Sequence, residues 1–133
     1  MKKPDVSCKI NAYCEINPSE DPKKIEQSIT NILGDIDVKI NRESVSASSS
    51  NLDSLKKIYE SIHSHQSKNA YRRQLNQNLK ADSSWFYLNK QAAYANTVAL
   101  CSESEESPLG PIKIVLNSQN IEQVIDWLIA NSD

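Results

Sequence analysis

The strongest constraint on the fold is a strict alternation of apolar and polar side chains from Val6 to Ile16. Successive side chains of a β-strand point to opposite faces of its sheet. The alternation therefore predicts a long strand that has one face in a hydrophobic core and the other in water. It is the clearest structural element that the sequence predicts.

The segment after this strand carries helix signals. Asp21 supplies an N-cap side chain, Pro22 suits the first helical position, and Gly34 supplies a left-handed stop. We therefore predict a helix between Asp21 and Gly34. Further strands are predicted at 36–40, 45–47, 85–88, 92–100 and 112–116, and further helices at 52–62, at 68–79 and from 120 onward.

These elements alternate without the regular rhythm of a doubly wound parallel sheet. They predict an α+β fold in which the helices gather on one face of a mixed β-sheet. The length of 133 residues suits one domain, and we expect a single α+β domain over residues 1–133. No stretch approaches the ~20 apolar residues of a membrane helix, and the start lacks the apolar segment of a signal peptide. We expect a cytoplasmic protein with no membrane partner.

The three cysteines favour free thiols over disulfides. Cys8 and Cys14 would lie about 20 Å apart along one strand, which is far beyond the reach of a disulfide bond. We interpret both as small core side chains of a protein in a reducing compartment.

No pattern in the sequence assembles a catalytic or metal site. His63 and His65 are two residues apart, so a helix would point them in opposing directions. The two glycines of the chain leave no phosphate-binding loop, and no nucleophile, base and stabiliser occur together. We expect no catalysis, cofactor, metal or small-molecule substrate, although an enzyme built from non-adjacent residues stays open. A solvated acidic loop is predicted at Glu103, Glu105 and Glu106.

Charge is concentrated in the middle of the chain. The net charge is −2, yet residues 56–90 contain seven cations and two anions. Such segregation creates a local positive field in an acidic protein. Cations, amides and aromatic rings together can hold phosphates and stack bases, whereas a charged helix face can also be simply solvated. The basic residues of the predicted helix at 68–79 and its end are Lys68, Arg72, Arg73 and Lys80.

The run of residues 86–94, Phe-Tyr-Leu-Asn-Lys-Gln-Ala-Ala-Tyr, resembles the hallmark of a small archaeal family of uncharacterised proteins labelled as RNA-binding. The resemblance extends over nearly the whole chain. It implies a curved mixed sheet with helices on one face, similar to the fold of ribosomal protein L-five, and contact with RNA. The hallmark could also serve folding, with Asn89 capping or turning the chain between two strands and with Ala92 and Ala93 allowing the close approach of a tightly packed helix. Supporting segments are 17–22, Arg72-Arg73 with Leu75, 108–112 and 126–128.

The leading hypothesis from the sequence is a noncatalytic RNA-binding domain. The alternative is a protein-interaction module or a homodimer that pairs sheet edges or packs a helix face. In the RNA hypothesis, the predicted contacts are Arg72, Arg73, Lys80 and Lys90 for phosphates, and Asn89, Gln91 and Tyr94 for bases or sugars.

Overall fold

The structure, a computed structural model, describes residues 3–34, 36–64, 67–101 and 110–129. Strands and helices are interleaved along these ranges without strict alternation, and a short 3-10 turn (Leu52–Leu55) precedes the second helix. The strands are β1 (Lys9–Glu15), β2 (Asp37–Ile40), β3 (Ser44–Ser49), β4 (Ser83–Leu88), β5 (Leu100–Cys101) and β6 (Ile112–Asn117). The helices are α1 (Pro22–Leu33), α2 (Lys56–Ser64), α3 (Lys68–Gln77), α4 (Lys90–Tyr94) and α5 (Ile121–Ile129).

The strands form one sheet in the order β2-β3-β1-β6-β4-β5. Every pair of neighbouring strands in the described ranges is antiparallel. The predicted α+β class is confirmed, but the sheet is antiparallel and not mixed. The reason lies in the strand order: β1 and β4 run in the same direction, and β6 enters between them with the opposite direction.

The alternation of β1 has the predicted consequence. Ile10, Ala12 and Cys14 are buried, and they belong to one hydrophobic core cluster together with apolar side chains of all five helices. The same cluster contains Phe86 of β4, whose ring meets the Tyr71 ring of α3 edge to face at 5.6 Å between centroids. The helices therefore cover one face of the sheet.

The ends of α1 are also as predicted. The Asp21 side chain accepts a hydrogen bond from the Lys23 backbone N–H at 3.0 Å, which satisfies one of the free donors at a helix start. Gly34 ends the helix at a φ of +82°, a conformation that costs glycine little. Its N–H donates to the Thr30 carbonyl oxygen at 2.9 Å.

The predicted strand at 92–100 is wrong except at its last residue. Residues Lys90–Tyr94 form the helix α4, and only Leu100–Cys101 form a strand. The helix forms because the Asn89 side chain caps it and because Ala93 is small enough to be buried in the core cluster. The acidic loop at Glu103, Glu105 and Glu106 lies outside the described residues, as does His65.

Helix α3 lies along the outer edge of β4 and supplies hydrogen bonds there. The Gln74 side chain donates through Nε2 to the Cys101 carbonyl oxygen at 2.8 Å and accepts from the Tyr87 backbone N–H at 2.7 Å. Asn78 donates through Nδ2 to the Trp85 carbonyl oxygen at 3.0 Å. Gln74 thus bridges β4 and β5, and Asn78 takes the place of a neighbouring strand beside Trp85, so this edge of β4 is closed along α3.

Replacing the buried Gln74 with alanine tests this closure. The Gln74→Ala variant leaves the Tyr87 N–H and the Cys101 carbonyl without the partner that Gln74 provides, and a buried polar group left unsatisfied costs about 1–3 kcal/mol. We expect the free energy of unfolding to fall by roughly 2–4 kcal/mol in urea titrations. The control, Gln77→Ala, removes an exposed glutamine from the same helix and should change it by less than about 0.5 kcal/mol. Equal effects would contradict the closure.

Candidate nucleic-acid interface

Helix α3 presents two exposed cations of the middle segment. Tyr71, Gln74 and Leu75 are buried, whereas Arg72 and Arg73 turn outward because a helix advances about 100° per residue. Arg72, Arg73 and, just beyond the helix end, Lys80 are exposed. No ion pair joins them to a carboxylate in the described part of the chain. We call these three residues the α3 arc.

One arginine of the α3 arc lies beside the edge of the sheet. Gln74 and Asn78 face β4 through their hydrogen bonds. Arg73 is the residue before Gln74, and Gln77 is the residue before Asn78. Arg73 and Gln77 therefore form a stripe on the helix surface next to the stripe of Gln74 and Asn78, on the side away from the buried Tyr71. The Arg73 stripe therefore borders the edge of β4.

Asn89 serves the fold through its side chain. Its Oδ1 accepts a hydrogen bond from the Ala92 backbone N–H at 2.8 Å, and its own N–H donates to the Ala99 carbonyl oxygen at 2.8 Å. The first bond caps α4, and the second ties its start to the segment before β5. The geometry matches the folding role that the sequence left open for Asn89.

Lys90 is not the exposed cation that the sequence predicted. Its side chain is 4% exposed, and its ammonium lies 2.9 and 3.1 Å from the two carboxylate oxygens of Glu20. It also donates to the Glu15 carbonyl oxygen at 3.1 Å. A buried ammonium needs such partners because it has lost its water. Lys90 therefore stabilises the fold and is not available to a phosphate.

The partner carboxylate is held from both sides. Glu20 Oε1 accepts from the Asn17 backbone N–H and from the Asn17 side-chain amide, each at 2.9 Å. Burial raises the pKa of the Glu20 carboxyl, but the hydrogen bonds from Asn17 and Lys90 outweigh burial, and the pKa lies below its ordinary value. Burial likewise raises the pKa of the nearby Cys14 thiol to about 11, and the charge of Lys90 opposes this rise.

Gln91 and Tyr94 lie on the outer side of α4. Gln91 is exposed, and the Tyr94 ring is 49% exposed with the Lys24 ammonium 5.8 Å from its centroid. Both residues line a cleft of about 310 Å³ between α1 and α4. Because α4 packs on α1 while α3 packs on β4 and α5, the predicted contact residues fall into two groups on different elements.

A third group of residues, which was not predicted from the sequence, lies on the sheet face opposite the helices. Tyr13 of β1 and Tyr87 of β4 both pair with Lys113 of β6, which lies between them. Trp85 is in the next row of the same face, and the Lys113 ammonium lies 4.6 Å from its ring centroid. We call the sheet surface that carries these four residues the open face. The sequence signal for this group was the alternation around Phe86. Because Phe86 is buried, its neighbours Trp85 and Tyr87 must point to the opposite face of the sheet.

The described residues contain no arrangement for a metal and no membrane-length helix. No group of three or more His, Cys, Asp or Glu side chains in these ranges could hold a metal ion. His63 is engaged through Nε2 with the Leu128 carbonyl oxygen at 2.9 Å. No helix within them has the length and apolar composition to cross a bilayer.

Fold and surface together define an α+β protein with an open antiparallel sheet and exposed cations at its edge. A family model described as RNA binding matches residues 9–118, and the chain belongs to this family. A UPF0201 protein from the archaeon Sulfurisphaera tokodaii is 34% identical over 124 residues, which cover 90% of this chain and 86% of that protein. Another UPF0201 protein, from Methanothermobacter thermautotrophicus, is 30% identical over 120 residues, which cover 90% of this chain and 89% of that protein.

Solved structures support the fold. The crystal structure of a UPF0201 protein from Methanococcus jannaschii has a TM-score of 0.77 and 22% identity, and the match covers 94% of this chain and 95% of that one. A second UPF0201 crystal structure has a TM-score of 0.78 at 23% identity, and the match covers 93% of this chain and 94% of that one. The resemblance to an archaeal family labelled as RNA-binding is thus confirmed, whereas the likeness to ribosomal protein L-five stays a prediction.

Removing the buried ammonium should destabilise the protein strongly. In Lys90→Met the Glu20 carboxylate stays in its pocket without its counter-charge, and breaking a buried pair in this way costs about 3–5 kcal/mol. We expect a loss of this size in the free energy of unfolding, measured with urea. Lys24→Met, at the exposed side of the same cleft, is the control and should lose less than about 0.5 kcal/mol. Similar losses in both variants would refute the structural role of Lys90.

The lowered pKa of Glu20 predicts a pH dependence. A carboxyl whose pKa is lower in the folded state contributes stability above its unfolded value of about 4.3, and the contribution is lost as the pH falls through the folded value. We expect Glu20→Gln to be less stable than the wild type at pH 6, with the difference shrinking towards pH 3. Urea titrations of both proteins at the two pH values measure it, and a constant difference would argue against the ionised pair.

Proposed function

We propose that the protein is a single noncatalytic RNA-binding domain and that the α3 arc is its phosphate-binding surface. The observation that carries the proposal is the exposure of Arg72 and Arg73 side by side, without a carboxylate partner among the described residues. Arginine side chains that no carboxylate neutralises attract the phosphate backbone, and their planar donors suit its oxygens. Membership of a family described as RNA binding supports the same assignment.

The residues predicted from sequence divide into binding and supporting roles. Arg72, Arg73 and Lys80 contact phosphates, whereas Gln91 and Tyr94 offer an amide and a ring to a base or sugar. Asn89 and Lys90 act indirectly, because the cap and the buried ion pair hold α4 in place. The proposal therefore keeps the predicted surface but assigns Lys90 to the fold.

The small number of cations sets the expected salt dependence. Each phosphate neutralised on a single strand contributes about −0.7 to the slope of log K against log salt concentration. Three cations of the α3 arc give a slope of about −2, which is shallow. A weak salt dependence is also what a protein of net charge −2 should show, because its other surfaces repel the RNA.

A charge-neutralising double variant tests the α3 arc. We expect Arg72→Gln with Arg73→Gln to weaken RNA binding at low salt and to reduce the salt slope by about 1.4, since two phosphate contacts are lost. Fluorescence anisotropy with labelled single-stranded and structured RNAs at low and moderate salt measures both quantities. The matched control is Lys23→Gln with Lys56→Gln, which removes the same charge from exposed positions on α1 and α2.

Two outcomes would count against the proposal. If the control variant weakens binding as much as the arginine variant, only the net charge matters and the α3 arc is not the site. If the wild-type protein binds none of the RNAs at low salt, the RNA function itself fails. The alternative of a protein-interaction module would then be the one to pursue.

A further inference from the structure

The open face exposes aromatic rings where a sheet normally shows polar residues. The Tyr13 side chain is 46% exposed, and Trp85 and Tyr87 are partly exposed on the same side. Their neighbours Asn11 and Ser46 are too short to shield them. Aromatic rings that stay partly in water on two strands flanking β6 mark a candidate contact site.

The charge around the rings is positive. Lys113 lies between Tyr13 and Tyr87, and Lys9 extends from the same face of β1. The carboxylates on this side are at its margins: Glu15 at the last position of β1 and Asp37 on the edge strand β2. The centre of the open face therefore combines ring surfaces with the ammonium group of Lys113, and Lys9 adds a second ammonium group at the first position of β1.

We propose that the open face binds single-stranded RNA by stacking unpaired bases on Trp85, Tyr87 and Tyr13, with Lys113 and Lys9 contacting the phosphates between them. This inference rests on the proposed function and names its ligand class. Strands are about 4.8 Å apart, so Tyr13 and Tyr87, on either side of β6, are separated by about 10 Å. Rings so spaced on a sheet can take two or three bases.

Single strands are favoured because a duplex hides the faces of its bases. Stacking requires an exposed base face, whereas phosphate contacts alone are made equally by duplex and single strand. Arg73, which borders the edge of β4, lies where a strand leaving Trp85 or Tyr87 would pass. In this arrangement Arg73 adds a phosphate contact from the helix to the stacking site on the sheet.

A protein partner fits the open face less well. The centre of a protein interface is depleted of charged residues, yet the middle of this face holds Lys113 and amides such as Asn11, with Val115 as the aliphatic residue between them. Ammonium groups beside rings match a base and its phosphate better than they match an apolar helix or strand.

Fluorescence tests the stacking directly, because the chain has two tryptophans, Trp85 and Trp127. Trp127→Phe leaves Trp85 as the sole tryptophan, and its emission should be quenched when a single-stranded oligoribonucleotide is titrated at low salt. The matching duplex should quench it much less. Trp85→Phe leaves Trp127, which stacks on Tyr59 between α2 and α5, and that emission should stay unchanged.

Affinity measurements separate the ring from the fold. Loss of one stacking residue weakens single-strand binding by on the order of tenfold to a hundredfold, so we expect this decrease for Trp85→Leu in anisotropy titrations. Trp85→Phe keeps an aromatic face and should retain most of the affinity. Duplex binding should be the same for both variants, and urea titrations establish that both are folded.

The outcomes distinguish the two proposals. Equal affinity for single strand and duplex, no quenching of Trp85 and no effect of Trp85→Leu would overturn the stacking site, while sensitivity to the Arg72 and Arg73 substitutions would leave the proposed function intact. Absence of any RNA binding would overturn both. A dimer that Trp85→Leu dissociates would show that the open face is a subunit interface, and this too would overturn the inference.

Discussion

The two-residue period of β1 is the constraint on which the rest of the structure depends. β1 lies inside the sheet between β3 and β6, so each of its side chains must enter either the core or the open face. A slip of one residue would expose Ile10 and Cys14 and push Tyr13 into the core. Because β6 pairs in register with both β1 and β4, the same alternation between core and open face continues in β4, where Phe86 is buried and Trp85 is not. One register therefore sets both the core and the open face.

The buried pair of Lys90 and Glu20 explains why two distant segments of the family pattern belong together. An ion pair taken out of water gains little net stability, but removal of one partner is costly because the other charge stays buried. The pair joins residues 70 positions apart and, with the Glu15 carbonyl, fixes the start of α4 to the end of β1. The segment 86–94 thus has a structural reason to keep its lysine, whatever the protein binds.

The sequence predicted the features that depend on residue spacing within one element, but not those that depend on contacts between distant segments. β1, α1 and the outward direction of Arg72 and Arg73 were predictable because each follows from the spacing within one element. The burial of Lys90 was not, because it needs Glu20 and a fold that brings the two together. The antiparallel arrangement could not be predicted for the same reason, since no local pattern shows that β6 enters between β1 and β4. The helix α4 was missed because its alanines have no clear period, and the cap at Asn89 was interpreted as a possible turn.

The small number of cations in the α3 arc bears on how an RNA site on this protein would obtain its affinity. Phosphate contacts weaken with salt, and the α3 arc supplies few of them, whereas stacking contributes about 1–3 kcal/mol per base and does not release counterions. Rings such as Trp85 and Tyr87 would then provide most of the binding free energy at moderate salt. Because every base has a face to stack, such a site selects unpaired RNA with little regard to sequence. An acidic protein with a few well-placed rings can therefore favour single strands without the strong, nonspecific attraction of a basic one.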